Sequence, residues 1–298
     1  MSAKHALSFI KDPWLKITPP IEFNDPYELT GRASKRYDKG FGTKILEDKG
    51  ARMTAANLLN RAFELKLKHD DLPRIAKHEP GLWQRMTRWY VWVKATEFAL
   101  EFPRIASVWH GVACFSEDPR NRLMWAHYAD RFRGLVIGFN TLNAFFRDVP
   151  LKRVVYTGQR VIFPHLSSER CSPQKKRRNS DRRFVNLLSG MDGLLLTKHP
   201  DFKYEKEWRL AVLLAHCRKR LQNRFFRRVP RACISEVIIG PRCAVVAQAV
   251  RTARRYAPQA LVQKLNIDLS SYELNLGVSG RSKPATSGRI KTSHFEVR

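Results

Sequence analysis

Residues 107–139 read SVWHGVACFSEDPRNRLMWAHYADRFRGLVIGF, and they pass through three kinds of local pattern. Ser107 to Phe115 is apolar enough for a strand, Asn121 to Arg131 has helical spacing, and Gly134 to Phe139 reads as a second strand. On the helix, Met124, His127 and Tyr128 share one face by the i, i+3, i+4 rule, with Trp125 beside them. Cys114-Phe115-Ser116 ends the first strand and sets the Ser116 hydroxyl where the chain turns towards the helix. Strands and helices intermixed in this way predict an α+β fold with a mixed, largely antiparallel central sheet and flanking helices.

The same reading extends in both directions. Ala6 to Pro20 suits a short helix or turn followed by a strand. Phe23-Asn24-Asp25-Pro26-Tyr27-Glu28 predicts a rigid turn, because Asn and Asp side chains accept bonds from nearby amides while Pro fixes φ. Apolar residues recur at helical spacing over Ala51 to Leu67 and again from Leu82 to Phe98. The aromatic cluster Trp83, Trp89, Tyr90 and Trp92 on the second helix reads as core rather than as a base-stacking surface. Further strands are expected at Leu151 to Tyr156, Trp208 to Leu214 and Ile234 to Ile239, and a helix at Ala244 to Tyr256. Ser167 to Arg183 is polar and heavily charged, as an exposed loop would be. The simplest organisation is one α+β domain over 1–276 with a helical insertion at about 45–105 and a disordered basic tail over 277–298.

With 298 residues, 43% of them hydrophobic, the chain can bury a real core, so wholesale disorder is excluded. No apolar run approaches the roughly 20 residues of a membrane helix, and the first dozen residues lack a signal-peptide core, so a cytoplasmic location without membrane contact is expected. Five cysteines form no CxxC pair, read as reduced thiols and lack the paired spacings of a zinc site. The 55 Lys and Arg against 27 Asp and Glu leave a net charge of +28, which attracts nucleic acids and other polyanions or simply solvates the surface. Oligomeric state leaves no mark in the sequence.

In Tyr204-Glu205-Lys206-Glu207-Trp208-Arg209, strand alternation would place Glu205, Glu207 and Arg209 on one face, with Trp208 as an anchor on the other. Two carboxylates beside a guanidinium form either a structural ion cluster or a carboxylate held ionised for catalysis. Taken in order, FNDPYE, the CFS segment with LMWAHYA and Gly134, and YEKEWR resemble the bacterial family catalogued as domain of unknown function 2971. Lys198 and Gly240-Pro241 also look like that family's pattern. The layout is similar to ADP-ribosyltransferase-like folds, and that resemblance implies an NAD-dependent glycosyl transfer, as in a toxin or phage-defence effector. It implies that Glu207 binds the nicotinamide ribose, Glu205 orients the acceptor, Asn24 and Asp25 fix the nucleotide, and Ser116, His127 and Tyr128 line the pocket beside Arg209. Two other readings stay open. One is a nucleic-acid-binding protein using basic loops at Lys175 to Arg183 and Arg218 to Arg231; the other is a metal-dependent hydrolase using Asp25, Glu28, Glu205 and Glu207.

Overall fold

The computed structural model describes residues 1–32, 39–162, 192–220 and 224–278. In chain order the first half contains α1 (Ala3–Lys11), β1 (Trp14–Ile17), α2 (Lys39–Glu47), α3 (Lys49–Phe63), α4 (Asp71–His78), α5 (Pro80–Ala106), β2 (His110–Ser116), α6 (Arg122–Tyr128), β3 (Leu135–Phe139) and α7 (Ala144–Asp148). There follow β4 (Lys152–Arg153), β5 (Val155–Tyr156), α8 (Asp192–Leu195), β6 (Thr197–Lys198), β7 (Glu207–Leu213), β8 (Arg218–Arg220), β9 (Arg224–Arg228), β10 (Ile234–Ile239), α9 (Val246–Tyr256), β11 (Leu261–Ile267) and β12 (Leu274–Val278). The chain divides into two compact units, Met1–Asn24 with Arg104–Gly158 and Leu196–Arg298, and Asp25–Pro103 with Gln159–Leu195.

The first unit is α+β and largely antiparallel, as the sequence predicts. Its strands form sheets ordered β1-β9-β8, β12-β11-β10-β3, β2-β7-β4 and β5-β6, rather than one central sheet. Only β10 with β11 and β5 with β6 run parallel among the described strands. Thr18, just after β1, exchanges backbone bonds with Val112 at 2.8 and 2.9 Å, which ties the first sheet to β2. Apolar positions at period 2 on β2, β3, β7 and β10 turn inward, and Phe9, Phe115, Phe139 and Phe146 meet edge to face at 5.8–6.0 Å among them. Helix α9 buries Ala249, Thr252 and Ala253 and leaves Arg251, Arg254 and Arg255 exposed, as an amphipathic surface helix does.

The second unit contains α2, α3, α4 and α5 as far as Pro103, gathered on Ile45, Ala55, Ala56, Leu59, Leu72, Met86 and Tyr90. Asp48 caps α3, its carboxylate accepting from the Ala51 N–H at 2.6 Å. Tyr90 is buried and Trp83 and Trp89 pack on the same core, in keeping with a core role for the aromatic cluster, while Trp92 is exposed. Asp25 accepts from the Tyr27 N–H at 2.9 Å, the turn chemistry read from Asp25-Pro26.

Local differences from the sequence reading have identifiable causes. The single strand expected at Leu151 to Tyr156 is two, parted at Val154, whose N–H donates to the Glu207 carbonyl at 2.9 Å. The basic stretch from Arg218, expected as a loop, pairs as β8 and β9, its cations hiding an alternation that sends Phe225 to the core. Strands β11 and β12 are unexpected because Gln263, Lys264 and Asn266 interrupt the apolar pattern of β11, which buries only Leu265. The loop expected at Ser167 to Arg183 and the tail after Val278 lie outside the described residues. The described cysteines, Cys114, Cys217, Cys233 and Cys243, are free, and burial pushes the Cys233 thiol up to about 11.

Gly240 lies where two backbones nearly touch: a Cβ there would come 2.3 Å from the Phe132 carbonyl oxygen and 2.8 Å from that of Gly134. Neither atom belongs to a flexible side chain. Gly240→Ala should therefore lower stability by about 1–3 kcal/mol in a urea titration, and an unchanged midpoint would show that the strand ends can separate freely.

Candidate functional site

Strand β7 begins at Glu207, and period-2 alternation sets Glu207 and Arg209 on the same face, both buried. The Arg209 Nε donates to Glu207 Oε1 at 2.9 Å, and a second guanidinium nitrogen reaches Oε2 at 3.3 Å. This is the fork geometry in which an Arg–carboxylate pair is strongest. Glu205 arrives differently from the strand alternation that the sequence suggested. It ends a 3-10 helix over Pro200–Glu205, and Lys206 takes a left-handed backbone (φ 42°) before the strand starts. The reversal brings Glu205 and Glu207 to one cation, Lys198, whose Nζ lies 2.8 Å from Glu205 Oε2 and 3.3 Å from Glu207 Oε2.

All four charged side chains are at most 1% exposed. Two carboxylates and two cations cancel formally, so the cluster satisfies the requirement that buried charges be paired. Aromatic rings close on it. Phe202 lies 4.5 Å from the Lys198 Nζ, and Phe23, the first residue of FNDPYE, lies 5.2 Å from the Arg209 guanidinium carbon.

Two further segments are fastened to the acidic motif. Tyr128, at the end of α6, donates its hydroxyl to Glu205 Oε1 at 3.0 Å, and Ser116, at the end of β2, donates to the Glu205 carbonyl at 2.7 Å. Asn121 caps α6 by accepting from the Leu123 and Met124 N–H groups, and its amide donates to the Tyr204 carbonyl at 2.7 Å. Tyr156 accepts from the Glu207 N–H at 2.8 Å, and the Trp208 indole donates to Glu117 at 2.9 Å. Met124 and Trp125 are fully buried beneath this constellation.

The sequence-predicted residues therefore separate. Ser116, Tyr128, Glu205, Glu207 and Arg209 converge through hydrogen bonds and ion pairs. His127 is exposed, its ring 6.3 Å from that of Tyr128, and Asn24 is exposed at the end of its unit. Asp25 is buried in the other unit and holds its own turn. Lys198, Phe23, Asn121 and Tyr156 were not picked out as site residues. Lys198 had a signal in its place ahead of YEKEWR and Phe23 in opening FNDPYE, whereas Tyr156 carries no pattern that marks a cluster. Among the described residues no group of three or more His, Cys, Asp or Glu side chains is placed to hold a metal ion.

Beside the cluster, a cleft of about 490 Å³ is lined by Asp118, Arg120, Asn121, Arg122, Tyr272 and Glu273. Burial opposes ionisation of Asp118, but the hydrogen bond and charge of Lys206 and the Arg120 N–H hold its carboxyl below the usual aspartate range. A carboxyl lowered on folding contributes stability that is present above its unfolded pKa and lost as pH falls through its folded one. Lys206→Met should therefore flatten the acid limb of a stability-against-pH curve; an unaltered limb would remove Asp118 from that account. Lys198→Met should cost about 3–5 kcal/mol in denaturant titration by leaving two buried carboxylates with one cation. Arg133→Met, which opens an exposed pair with Asp130 at 3.1 Å, should cost less than about 1 kcal/mol.

Residues 124–210 match the family described as Protein of unknown function (DUF2971), a span that holds Tyr128, Lys198, Glu205, Glu207 and Arg209. No curated protein and no solved structure matches the chain.

Proposed function

We propose that the protein binds nucleic acid through its exposed basic surface, and that the buried charge cluster is a structural joint of the first unit. One observation carries this reading. From Arg218 to Arg255 the only acidic residue is Glu236, which is buried, while Arg218, Arg224, Arg228, Arg231, Arg242, Arg251, Arg254 and Arg255 are all exposed. No exposed carboxylate lies within that stretch, and Asp12 approaches Arg228 from outside it only to 3.9 Å, so the field of the arginines is available to phosphates. The carboxylates of Glu205 and Glu207, by contrast, are enclosed and engaged with Lys198 and Arg209. To touch a substrate they would first have to give up those partners.

Binding to a fluorescent oligonucleotide should weaken by about 10³-fold or more between roughly 50 and 200 mM salt if six or more phosphates are contacted. Absence of binding at the lower salt would remove the reading.

A second reading keeps NAD-dependent ADP-ribosyltransferase-like chemistry at the cluster. It is favoured by the convergence of Ser116, Tyr128, Glu205, Glu207 and Arg209, with Arg209 and Lys198 suited to keep Glu207 ionised for stabilising an oxocarbenium-like transition state. On this reading NAD raises the melting temperature of the protein, and Glu207→Gln abolishes nicotinamide release without abolishing that shift. No thermal shift with NAD and no nicotinamide release, across protein and nucleic-acid acceptors, would dispose of it.

A further inference from the structure

The three-stranded sheet β1-β9-β8 has two unlike faces. Trp14 pairs with Arg228, Leu15 with Arg227, Lys16 with Phe226 and Ile17 with Phe225, and Arg218 of β8 pairs with Phe226. Because side chains alternate, Leu15, Ile17 and Phe225 point together into the core. The other face carries Trp14, Lys16, Arg218, Arg224, Phe226 and Arg228, each exposed or half-exposed. The row Lys16, Phe226, Arg218 crosses all three strands with an aromatic ring between two cations.

This face is ordered as well as basic. The guanidinium carbons of Arg218 and Arg228 lie 6.0 and 5.9 Å from the centre of the Trp14 ring, and the Trp14 indole donates to Asp12 at 2.9 Å. The acids that reach the face are at its rim: Glu22 is 3.3 Å from Lys16, and Asp12 is 3.9 Å from Arg228. Exposed pairs of this kind are weak and exchange readily for a phosphate.

We propose that this face is a platform for single-stranded nucleic acid, with Trp14 and Phe226 taking bases and with Arg224, Arg228, Arg218 and Lys16 taking phosphates. The proposal rests on the nucleic-acid reading above and names the place and the strand state. Rings on an open sheet take unpaired bases, whose faces are available; a duplex offers this surface only its backbone. The face presents two half-exposed rings among the cations Lys16, Arg218, Arg224 and Arg228, a balance that favours a polyanion.

The test compares oligonucleotides of about 20 nucleotides, single-stranded and as the matching duplex, by fluorescence anisotropy at low salt. The full chain should favour the single strand. Arg224→Gln with Arg228→Gln should weaken that binding about tenfold, and Trp14→Leu should do likewise while Trp14→Phe retains most of it. Arg61→Gln with Arg74→Gln, removing the same charge from exposed positions on α3 and α4, should weaken it by less than about threefold, because those side chains are outside the proposed phosphate contacts. Matching melting temperatures establish that the exposed-arginine variants fold, so the proposal does not depend on Trp14 alone. If the platform variants bind as the parent does, if the Arg61 and Arg74 pair loses as much, or if duplex binds as tightly as single strand, the platform is wrong although the protein binds nucleic acid. Parent protein that binds neither form, or only phosphatidylserine vesicles, overturns the nucleic-acid reading and the platform with it.

Discussion

The first unit depends on the cancellation of four charges in a place closed to water. Lys198, Glu205, Glu207 and Arg209 come from a short strand, a 3-10 turn and a longer strand, and none of them tolerates burial alone. Their mutual presence therefore fixes how β6, the turn and β7 approach one another. The hydrogen bonds of Ser116 and Tyr128 to Glu205 extend the constraint to β2 and α6. An apolar contact would accept small slips along these elements. A forked guanidinium and a shared carboxylate accept very few.

Lys206 makes this geometry possible by its backbone. In a continuous strand Glu205 and Glu207 would stand about 7 Å apart along one face, as Glu207 and Arg209 do. The left-handed residue between them folds the chain back, so that both carboxylates reach Lys198. Its own side chain points elsewhere and pairs with Asp118 at 2.8 Å. The strain of a left-handed lysine is thus offset by contacts on both sides of the turn.

Much of this was legible in the sequence, for reasons specific to each element. Helical periodicity placed the helices that became α3, α5, α6 and α9, and unbroken apolar runs placed β3 and β10. Period 2 paired Glu207 with Arg209 correctly. The same rule misplaced Glu205, because a left-handed Lys has no sequence signature, unlike a Gly. Lys198 is not legible as a site residue, because a buried lysine looks like a surface one until its two acids are found. The hairpin of β8 and β9 was hidden for the opposite reason, since RFFRR alternates properly only once its arginines are understood as an outward face. Charge, which usually marks a loop, here marks one side of a sheet.

The bonds that fasten the joint connect residues far apart in sequence: 77 residues for Tyr128 to Glu205, 83 for Asn121 to Tyr204 and 89 for Ser116 to Glu205. Closing loops of that length is entropically costly, but the cost grows only with the logarithm of the length, about 0.6 kcal/mol for each doubling. Loops within the intervening chain can therefore lengthen or shorten over evolutionary time with little thermodynamic consequence. The side chains that clasp its two ends, and the core strand β3 between them, have no such latitude, and in a set of related chains they would define the alignment while the loops drifted.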